Sequence, residues 1–320
     1  MKYTNEDLKA MQSWDLNRKI MVSQTRIIEF CKHFDNKIYV SFSGGKDSTV
    51  LLDLVRKIYP DAPAVFFDTG LEYPELRSFV KTIDNVEWIK PSMTFRKVIE
   101  TYGYPLVSKE VSKRVHEYHN AEAKGRLKQS NAYKEFNGLL LNKDGDPSAY
   151  NKTKWGFLVD ADFKISHKCC DIMKKKPAYE YERRTCRKPI VGTMACESRI
   201  RKQKWLEHGC NAFDGPRMMS QPMSFWTEQD VLAYIHRFRL SFAPVYGEIL
   251  QDENGRYYNT GCRRTGCVFC AYGVHLEPYP NRFQNLKQTH PKLWTYCMKP
   301  WNEGGLGMQK VLEYIHVDTE

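Results

Sequence analysis

The sequence predicts an α/β fold with a Rossmann-like parallel sheet and crossover helices, plus a small Cys-rich C-terminal extension. The first observation is an alternation of short apolar runs with longer segments whose apolar residues recur at helical spacing. Strands alternating with helices of that kind form parallel sheets with the helices on the faces. The second observation is the composition of the last part of the chain, which is rich in Cys, Pro, Trp and Tyr.

The elements follow in a regular order. Strands are predicted over residues 37–42, 62–67, 86–90 and 189–193, and helices within residues 1–34 and over 49–59, 73–83 and 227–238. Pro60 stops the second helical segment, and Pro74 lies in the first turn of the third, where proline is tolerated. Thr227 can cap the last helix, because Asp230 three residues later completes a pattern resembling a capping box.

The composition is that of a globular protein with an excess of basic residues. Apolar residues make up 42% of the 320 residues, and 49 Lys and Arg against 38 Asp and Glu give a net charge of +11. Such an excess favours anionic partners, among which nucleotides and nucleic acid are candidates. No apolar run approaches the roughly 20 residues of a membrane helix. The first residues lack the layout of a signal peptide, so we expect a cytoplasmic protein without a membrane partner.

A glycine-containing turn stands between the first predicted strand and the helix after it. The residues from Ser41 to Ser48 read Ser-Phe-Ser-Gly-Gly-Lys-Asp-Ser. Glycines let the backbone approach an anion, and the first turn of a helix presents free N–H groups. The spacing differs from the Walker A pattern, which has four residues between its glycines. The turn therefore predicts a phosphate site, with an ordinary strand-to-helix turn as the alternative.

A second candidate segment follows the second predicted strand. Asp68, Thr69 and Gly70 stand where that strand ends, and ligands of open parallel sheets bind at the carboxyl ends of strands. Asp68 could instead cap the next helix. If Mg²⁺ accompanies a nucleotide, Asp47 and Asp68 are the nearest hard oxygen ligands.

Three segments together resemble one superfamily. Residues 43–48 resemble the PP-loop of enzymes that split ATP into AMP and pyrophosphate, in the PP-loop ATP pyrophosphatase and phosphoadenosine phosphosulfate (PAPS) reductase superfamily. Residues 191–199 resemble its Gly-x-x-x-x-Glu-Ser-x-x-Arg segment, and residues 221–246 resemble a Pro…Trp…Asp-Val…Pro…Tyr block of its sulfur-metabolising members. The resemblance covers about residues 35–275 and implies an adenine nucleotide alpha hydrolase-like fold.

This resemblance implies an adenine nucleotide site with ATP and Mg²⁺ as ligands. The implied nucleotide-binding residues are Ser41, Ser43, Gly44, Gly45, Lys46, Asp47, Ser48, Asp68, Thr69, Gly70, Gly192, Glu197, Ser198 and Arg199. Lys46, Asp47 and Arg199 are the expected catalytic residues. Lys46 would stabilise charge on the leaving pyrophosphate, and Arg199 would clamp a phosphate.

The cysteine spacing predicts a metal site rather than disulfides. Cys169 and Cys170 are adjacent, and Cys267 and Cys270 form a Cys-x-x-Cys pair, so the two pairs can supply four thiolates. The layout resembles the [4Fe–4S] signature of adenylyl-sulfate reductases, which implies such a cluster. Zinc on the same four residues and plain buried cysteines are the alternatives, and Cys262 is an alternative ligand.

Two departures separate the chain from the sulfonucleotide reductases. Those enzymes carry a catalytic cysteine in a C-terminal Glu-Cys-Gly-Ile/Leu-His segment, whereas no cysteine follows Cys297 here. They also have an altered phosphate loop, whereas this one is intact. Both departures favour ATP as the substrate over a sulfonucleotide.

We therefore predict an enzyme that releases pyrophosphate from ATP while adenylating an acceptor for sulfur transfer, of the nucleic-acid or small-molecule thiolation type. A sulfur donor protein is a further candidate partner. One alternative is an adenylyl- or phosphoadenylyl-sulfate reductase with a non-standard thiol, such as Cys297 or a partner's. The other is a non-catalytic nucleotide-binding subunit of a sulfur-modification complex.

Three regions follow from these patterns. They are an N-terminal helical segment over 1–34, a nucleotide-binding α/β domain over 35–250 and a Cys-rich extension over 251–320. Residues from about 108 to 165 interrupt the α/β pattern, since they are rich in Lys, Asn, Tyr and Gly. We expect an insertion there that serves as a lid or a partner contact.

Overall fold

A computed structural model describes residues 2–319, which divide into two compact units. The first unit holds the residues through Asp68, then Glu72–Lys90 and Pro177–Gly266. The second unit holds Thr69–Leu71, Pro91–Lys176 and the residues from Cys267 onward. The three regions predicted from the sequence remain a prediction. Within residues 2–319, no helix combines the length and apolar character needed to cross a bilayer.

The strands are short and fall into three sheets. They are β1 Ile38–Ser41, β2 Ala64–Phe67, β3 Val86–Ile89, β4 Leu106–Val107, β5 Lys188–Val191, β6 Asn211–Ala212, β7 Met219–Ser220, β8 Ile249–Gln251, β9 Tyr257–Asn259 and β10 Ala271–Tyr272. The first unit contains a six-stranded sheet in the order β3-β2-β1-β5-β7-β6. Every neighbouring pair in that sheet is parallel except β6 with β7. The structure thus confirms the α/β fold with a mainly parallel, Rossmann-like sheet.

The described residues also form a series of α-helices. They are α1 Asn5–Ser13, α2 Leu16–His33, α3 Lys46–Arg56, α4 Pro74–Lys81, α5 Phe95–Tyr102, α6 Lys109–Glu122, α7 Asn131–Phe136, α8 Lys168–Cys170, α9 Lys176–Thr185, α10 Arg199–His208, α11 Glu228–Phe238, α12 Arg282–Thr289, α13 Pro291–Met298 and α14 Met308–Tyr314. A single π-helical turn, Asp171–Lys175, connects α8 to α9.

The centre of the first unit is apolar on both faces of the sheet. On one face, Ile38 and Val40 of β1 pack in the same buried cluster as Leu51 of α3, and on the other face Tyr39 packs against Tyr181 of α9. A strand covered on both faces consists of apolar residues, which is why β1 could be located from the sequence. This packing fixes the turn between β1 and α3.

Helix α11 begins as predicted. The Thr227 side chain accepts from the Asp230 backbone, and the Asp230 carboxylate accepts from the Thr227 N–H at 2.7 Å. The same carboxylate holds the buried Lys19 ammonium at 2.7 Å, and the Tyr234 hydroxyl donates to Asp53 of α3 at 2.6 Å. The start of α11 is therefore tied to α2, and its middle is tied to α3.

The predicted insertion contains two helices that its polar composition did not indicate. Ser108 caps α6 by accepting from the Val111 N–H at 3.1 Å, and Val111 and Val115 are buried at a spacing of four residues. Because only one narrow face of α6 is apolar, the segment reads as polar in sequence although it forms a helix. The second unit also contains a parallel pair of β4 with β10.

Candidate functional site

The turn between β1 and α3 has a left-handed backbone at Gly44, which glycine adopts without strain. Its φ is +72°, and a Cβ there would lie 2.3 Å from Leu76 Cδ2 and 2.6 Å from Val80 Cγ2. A side chain at this position is therefore excluded both by conformation and by the packing of α4. Gly45 then caps α3 without a side-chain bond, so the first N–H groups of the helix stay available.

The two serines of this turn stabilise its shape. The Ser43 N–H donates to Ser48 Oγ at 3.2 Å, and the Gly45 N–H donates to Ser43 Oγ at 3.3 Å. The Ser48 hydroxyl donates to the Gly45 carbonyl at 2.9 Å. These bonds preform the turn, so an anion would meet donors already fixed in place.

The turn opens onto a cavity of about 660 Å³ within the first unit. Nine of the predicted nucleotide-binding residues line it: Ser41, Ser43, Gly45, Lys46, Asp47, Ser48, Gly192, Glu197 and Ser198. Gly44 does not line the cavity. It determines the shape of the turn, because Leu76 and Val80 leave no room for a Cβ at this position. This volume lies in the range of typical small-molecule sites.

The cavity is electropositive. Its basic lining residues are Lys46, Arg201, Lys204, Arg217, Arg263 and Arg264, and its acidic ones are Asp47, Glu197 and Glu228. The lining therefore has three more basic than acidic side chains, and this excess favours an anionic ligand. The carboxylates are distributed among the cations: Glu228 contacts Lys46 at 2.9 Å and Arg263 at 3.2 Å, and Glu197 pairs with Arg201.

Asp47 carries an unusual carboxylate. Its Oδ1 is buried without a hydrogen-bond partner. Burial is the main cause that raises the pKa of Asp47 to about 6, and the charges of Glu197 and Glu228 add to it, while Lys46 and Arg264 oppose it. An unsatisfied buried oxygen at a cavity indicates a group that awaits a hydrogen-bond donor or a cation.

The Asp68 segment lies at the predicted edge of the sheet. β1 and β2 are parallel, with Ser41 paired to Val65, so Asp68 follows β2 at the edge where the phosphate turn follows β1. Asp68 is buried and pairs with Arg77 at 2.8 Å, and it is not on the cavity lining. Thr69 and Gly70 belong to the second unit.

The predicted phosphate clamp, Arg199, is exposed at the first position of α10 and does not line the cavity. Arg201 does line it and pairs with Glu197. The segment pattern places two residues between its serine and its arginine, which corresponds to Ser198 and Arg201. Counting that spacing would have selected Arg201 from the sequence.

Other lining residues were not anticipated. Glu228 is the first residue of α11. Carboxylates are common at helix starts because they stabilise the helix dipole. Glu228 therefore looks like an ordinary helix-start residue in the sequence. Arg263 and Arg264 lie in a loop of the first unit. Tyr246 hydrogen-bonds Thr265, and a Cβ on Gly45 would lie 3.2 Å from the Tyr246 hydroxyl.

The four candidate metal ligands all belong to the second unit. The Cys169 and Cys170 Sγ atoms lie 3.9 Å apart, and the Cys270 N–H donates to the Cys267 carbonyl at 3.0 Å to close the Cys-x-x-Cys turn. The charge of Cys169 interacts with those of Cys267 and Cys270. Cys262, the alternative ligand, lies in the first unit.

The thiols of the adjacent pair differ in acidity. A hydrogen bond from Cys169 lowers the pKa of Cys170, and the charges of Lys109 and Lys174 act in the same direction. The same hydrogen bond, with burial, raises the pKa of Cys169. A thiolate stabilised by two lysines is the form that binds metals.

The surroundings of these cysteines fit a thiolate-held group in their chemistry. The Tyr272 hydroxyl is buried and lies in the field of Cys169, Cys170 and Cys270. A π-helical turn, which often marks functional sites, directly follows Cys170. Among residues 2–319, however, no three His, Cys, Asp or Glu side chains are already arranged around one metal position.

Comparison with known proteins places these features in context. Residues 37–272 match the phosphoadenosine phosphosulfate reductase domain. An uncharacterized protein of Methanocaldococcus jannaschii is 25% identical over 287 residues, which are 87% of this chain and 51% of that protein. The chain thus spans about half the length of that relative.

Two further similarities involve named reductases. An adenosine 5'-phosphosulfate reductase of Staphylococcus epidermidis is 33% identical over 234 residues, covering 72% of this chain and 70% of that protein. A crystal structure of phosphoadenylyl-sulfate reductase from Candida auris, a phosphate complex, aligns with a TM-score of 0.40 and 12% identity over 80% of this chain and 98% of that chain.

Proposed function

The chain belongs to the phosphoadenosine phosphosulfate reductase family, and we propose that it binds ATP at the Ser43–Ser48 turn and releases pyrophosphate. The observation that carries this proposal is the preformed turn at the edge of an electropositive cavity. Backbone N–H groups at the start of α3 would bind the two outer phosphates, and Lys46 would neutralise them. The cavity has room for the nucleoside beside them.

The proposed reaction is adenylation. A nucleophilic oxygen of the acceptor forms a bond to the α-phosphorus, and the bond from that phosphorus to the bridging oxygen of pyrophosphate breaks. Lys46 and the N–H donors stabilise the charge that develops on the leaving pyrophosphate. A sulfur nucleophile then displaces AMP, so the acceptor exchanges an oxygen for a sulfur and no electrons are transferred. Bound Mg²⁺ would supply charge neutralisation, with Asp47 as a ligand.

The acceptor is proposed to be nucleic acid or a small molecule. The excess of basic residues in the chain and on the cavity lining favours an anionic acceptor. Exposed Arg199 and Lys204 on α10 extend the positive surface from the cavity lining. The proposed source of the incoming sulfur is a donor protein that delivers it at the sulfide level, because sulfur from a persulfide would require a two-electron reductant.

We also propose that Cys169, Cys170, Cys267 and Cys270 hold a [4Fe–4S] cluster. Four thiols in one unit, one of them acidified, supply the ligand set that such clusters use. When bound, the cluster would relay sulfur or stabilise the second unit. Zinc on the same thiols is the competing assignment, and metal analysis separates the two.

Reduction of a sulfonucleotide is the second candidate, favoured by the relatives named adenosine 5'-phosphosulfate reductase. It requires a thiol that attacks sulfur. Cys297 is fully buried, and burial raises its pKa, which argues against that residue. Among the described residues, Cys196 is the cysteine that lines the cavity, although burial and the charge of Glu197 raise its pKa.

One pair of assays separates these candidates. Protein purified under anaerobic conditions is incubated with radiolabelled ATP, with and without nucleic acid, and pyrophosphate release is followed. A parallel sample receives a sulfonucleotide and thioredoxin, and sulfite is followed. Pyrophosphate release supports the proposed function, sulfite release supports the reductase, and tight ATP binding without turnover supports a non-catalytic nucleotide-binding subunit.

A further inference from the structure

The Lys46 ammonium is bound to a neighbouring helix. Its Nζ lies 2.9 Å from Glu228 Oε1 and 2.7 Å from the Arg263 carbonyl oxygen. The Lys46 side chain is only 6% exposed, and its ammonium lies 5.5 Å from the centre of the Tyr246 ring. A buried ammonium requires a counter-charge, and Glu228 provides it.

Glu228 cannot easily follow Lys46 if the lysine moves. It is the first residue of α11, whose start is fixed by the Thr227–Asp230 capping box and by the buried Lys19–Asp230 pair at 2.7 Å. The carboxylate therefore stays at one wall of the cavity, which it lines together with the Ser43–Ser48 turn.

Glu228 also has a second cation available. Its Oε2 accepts from Arg263 at 3.2 Å, and the Arg263 side chain is 80% exposed and so can adjust its position. If an anionic ligand attracts the Lys46 ammonium, Arg263 can keep the Glu228 charge neutralised. Lys46 can therefore pair with either of two anions, Glu228 or the entering ligand. Glu228 can pair with either of two cations, Lys46 or Arg263.

We propose that Glu228 is a specificity-determining residue that competes with a diphosphate group for the Lys46 ammonium. This inference rests on the proposed function, because it takes the Ser43–Ser48 turn as the diphosphate site. An anion that enters must displace the Glu228 carboxylate from Lys46, and it must then bind despite repulsion from that nearby carboxylate. Glu228 thereby weakens anion binding at the turn, so an anion binds only when its contacts with the N–H groups at the start of α3 outweigh that cost.

The test measures binding of inorganic pyrophosphate by calorimetry to the full chain and to Glu228→Gln. The glutamine can still accept from Lys46 but carries no charge, so we expect the dissociation constant to fall by about tenfold or more, as removal of a like charge within contact range does. Glu253→Gln, which makes the same charge change at an exposed turn of the first unit, should bind like the parent chain. A loss of structure would weaken binding, so tighter binding is not a consequence of damage.

The outcomes separate the two proposals. If the parent chain binds pyrophosphate and Glu228→Gln binds it equally or more weakly, the role of Glu228 is overturned while the phosphate site stands. If neither chain binds pyrophosphate or ATP, the proposed function fails and this inference fails with it. Should Glu228→Gln not fold, Glu228→Asp, which withdraws the charge by one methylene, should tighten binding by a smaller factor, and unchanged binding by that variant contradicts the role.

Discussion

The two units prepare their candidate sites to different degrees. In the first unit, the backbone turn at Gly44, the serine hydrogen bonds and the charged cavity lining are all formed by the folded chain itself. In the second unit, four cysteines share a compact region, but the side chains are not arranged around one metal position in the described residues. A site made of backbone N–H groups is fixed by the fold, whereas a thiolate site is completed by the metal it binds.

The largest expected effect concerns the phosphate turn. Lys46→Ala should lower the rate of pyrophosphate release from ATP by about 100- to 1,000-fold, as loss of one group that stabilises developing charge does. Lys81→Ala, an exposed lysine at the end of α4, serves as the control and should leave the rate unchanged. An unaltered rate in Lys46→Ala would place the reacting phosphates elsewhere.

The second prediction concerns the cysteines. Anaerobically purified protein should contain about four iron atoms per chain, and Cys270→Ser should contain less than about one, because each cluster iron is held by one cysteine. Cys262→Ser, in the first unit, should keep its iron. One equivalent of zinc in the parent protein would instead support the zinc assignment. Four iron atoms retained in Cys270→Ala, whose side chain has no donor atom, would exclude Cys270 as a ligand.

The third prediction tests which arginine serves the cavity. Arg201→Ala should raise the dissociation constant for ATP by about tenfold or more, since hydrogen bonds to charged groups contribute roughly 1.5 to 3 kcal/mol. Arg199→Ala removes the same charge two residues earlier on α10, outside the cavity lining, and should change binding by less than about twofold. The reverse ranking would restore Arg199 as the clamp and would show that the first turn of α10 rearranges.

The smallest effect is on stability. The folded pKa of Asp47 is raised from 3.8 to about 6, so the folded state binds the proton more tightly and this group's contribution to stability falls as the pH rises from 4 to 6. Asp47→Asn should therefore raise the free energy of unfolding by about 1 to 3 kcal/mol at pH 8, and the gain should shrink as the pH falls toward 4.

Urea unfolding at several pH values measures this effect. Asp61→Asn, at an exposed position, should leave the free energy of unfolding unchanged. A loss of stability in Asp47→Asn at pH 8 would show that the Asp47 carboxylate is stabilised by an interaction in the folded protein, and the contrast between the two sites would weaken.

The sequence predicted the parts of the molecule that obey local rules. The buried β1, the glycine turn and the start of α11 each follow from a few neighbouring residues, and the structure contains all three. Arg201 also follows from a local rule, because two residues separate it from Ser198, as in the Glu-Ser-x-x-Arg pattern. Glu228 could not be separated from an ordinary helix-start carboxylate, because its contact with Lys46 joins residues 182 positions apart.

The hardest feature to predict was which segments of the chain make up the second unit. It combines Pro91–Lys176 with the residues from Cys267 onward, and nothing in either segment alone shows that they fold together. The cysteine pairs gave the one sequence signal linking the two segments. Helix α6 in the 108–165 segment was missed because it buries only Val111, Ser112, Val115 and Ala121, while its remaining positions are mainly charged or polar.

The central claim is that the Ser43–Ser48 turn holds the outer phosphates of ATP. A crystal structure of the protein with α,β-methylene ATP, which cannot release pyrophosphate, tests it most directly. We expect the β- and γ-phosphate oxygens within hydrogen-bond distance of the N–H groups at the start of α3. An analogue bound with its phosphates away from this turn, or in another cavity, would contradict the assignment.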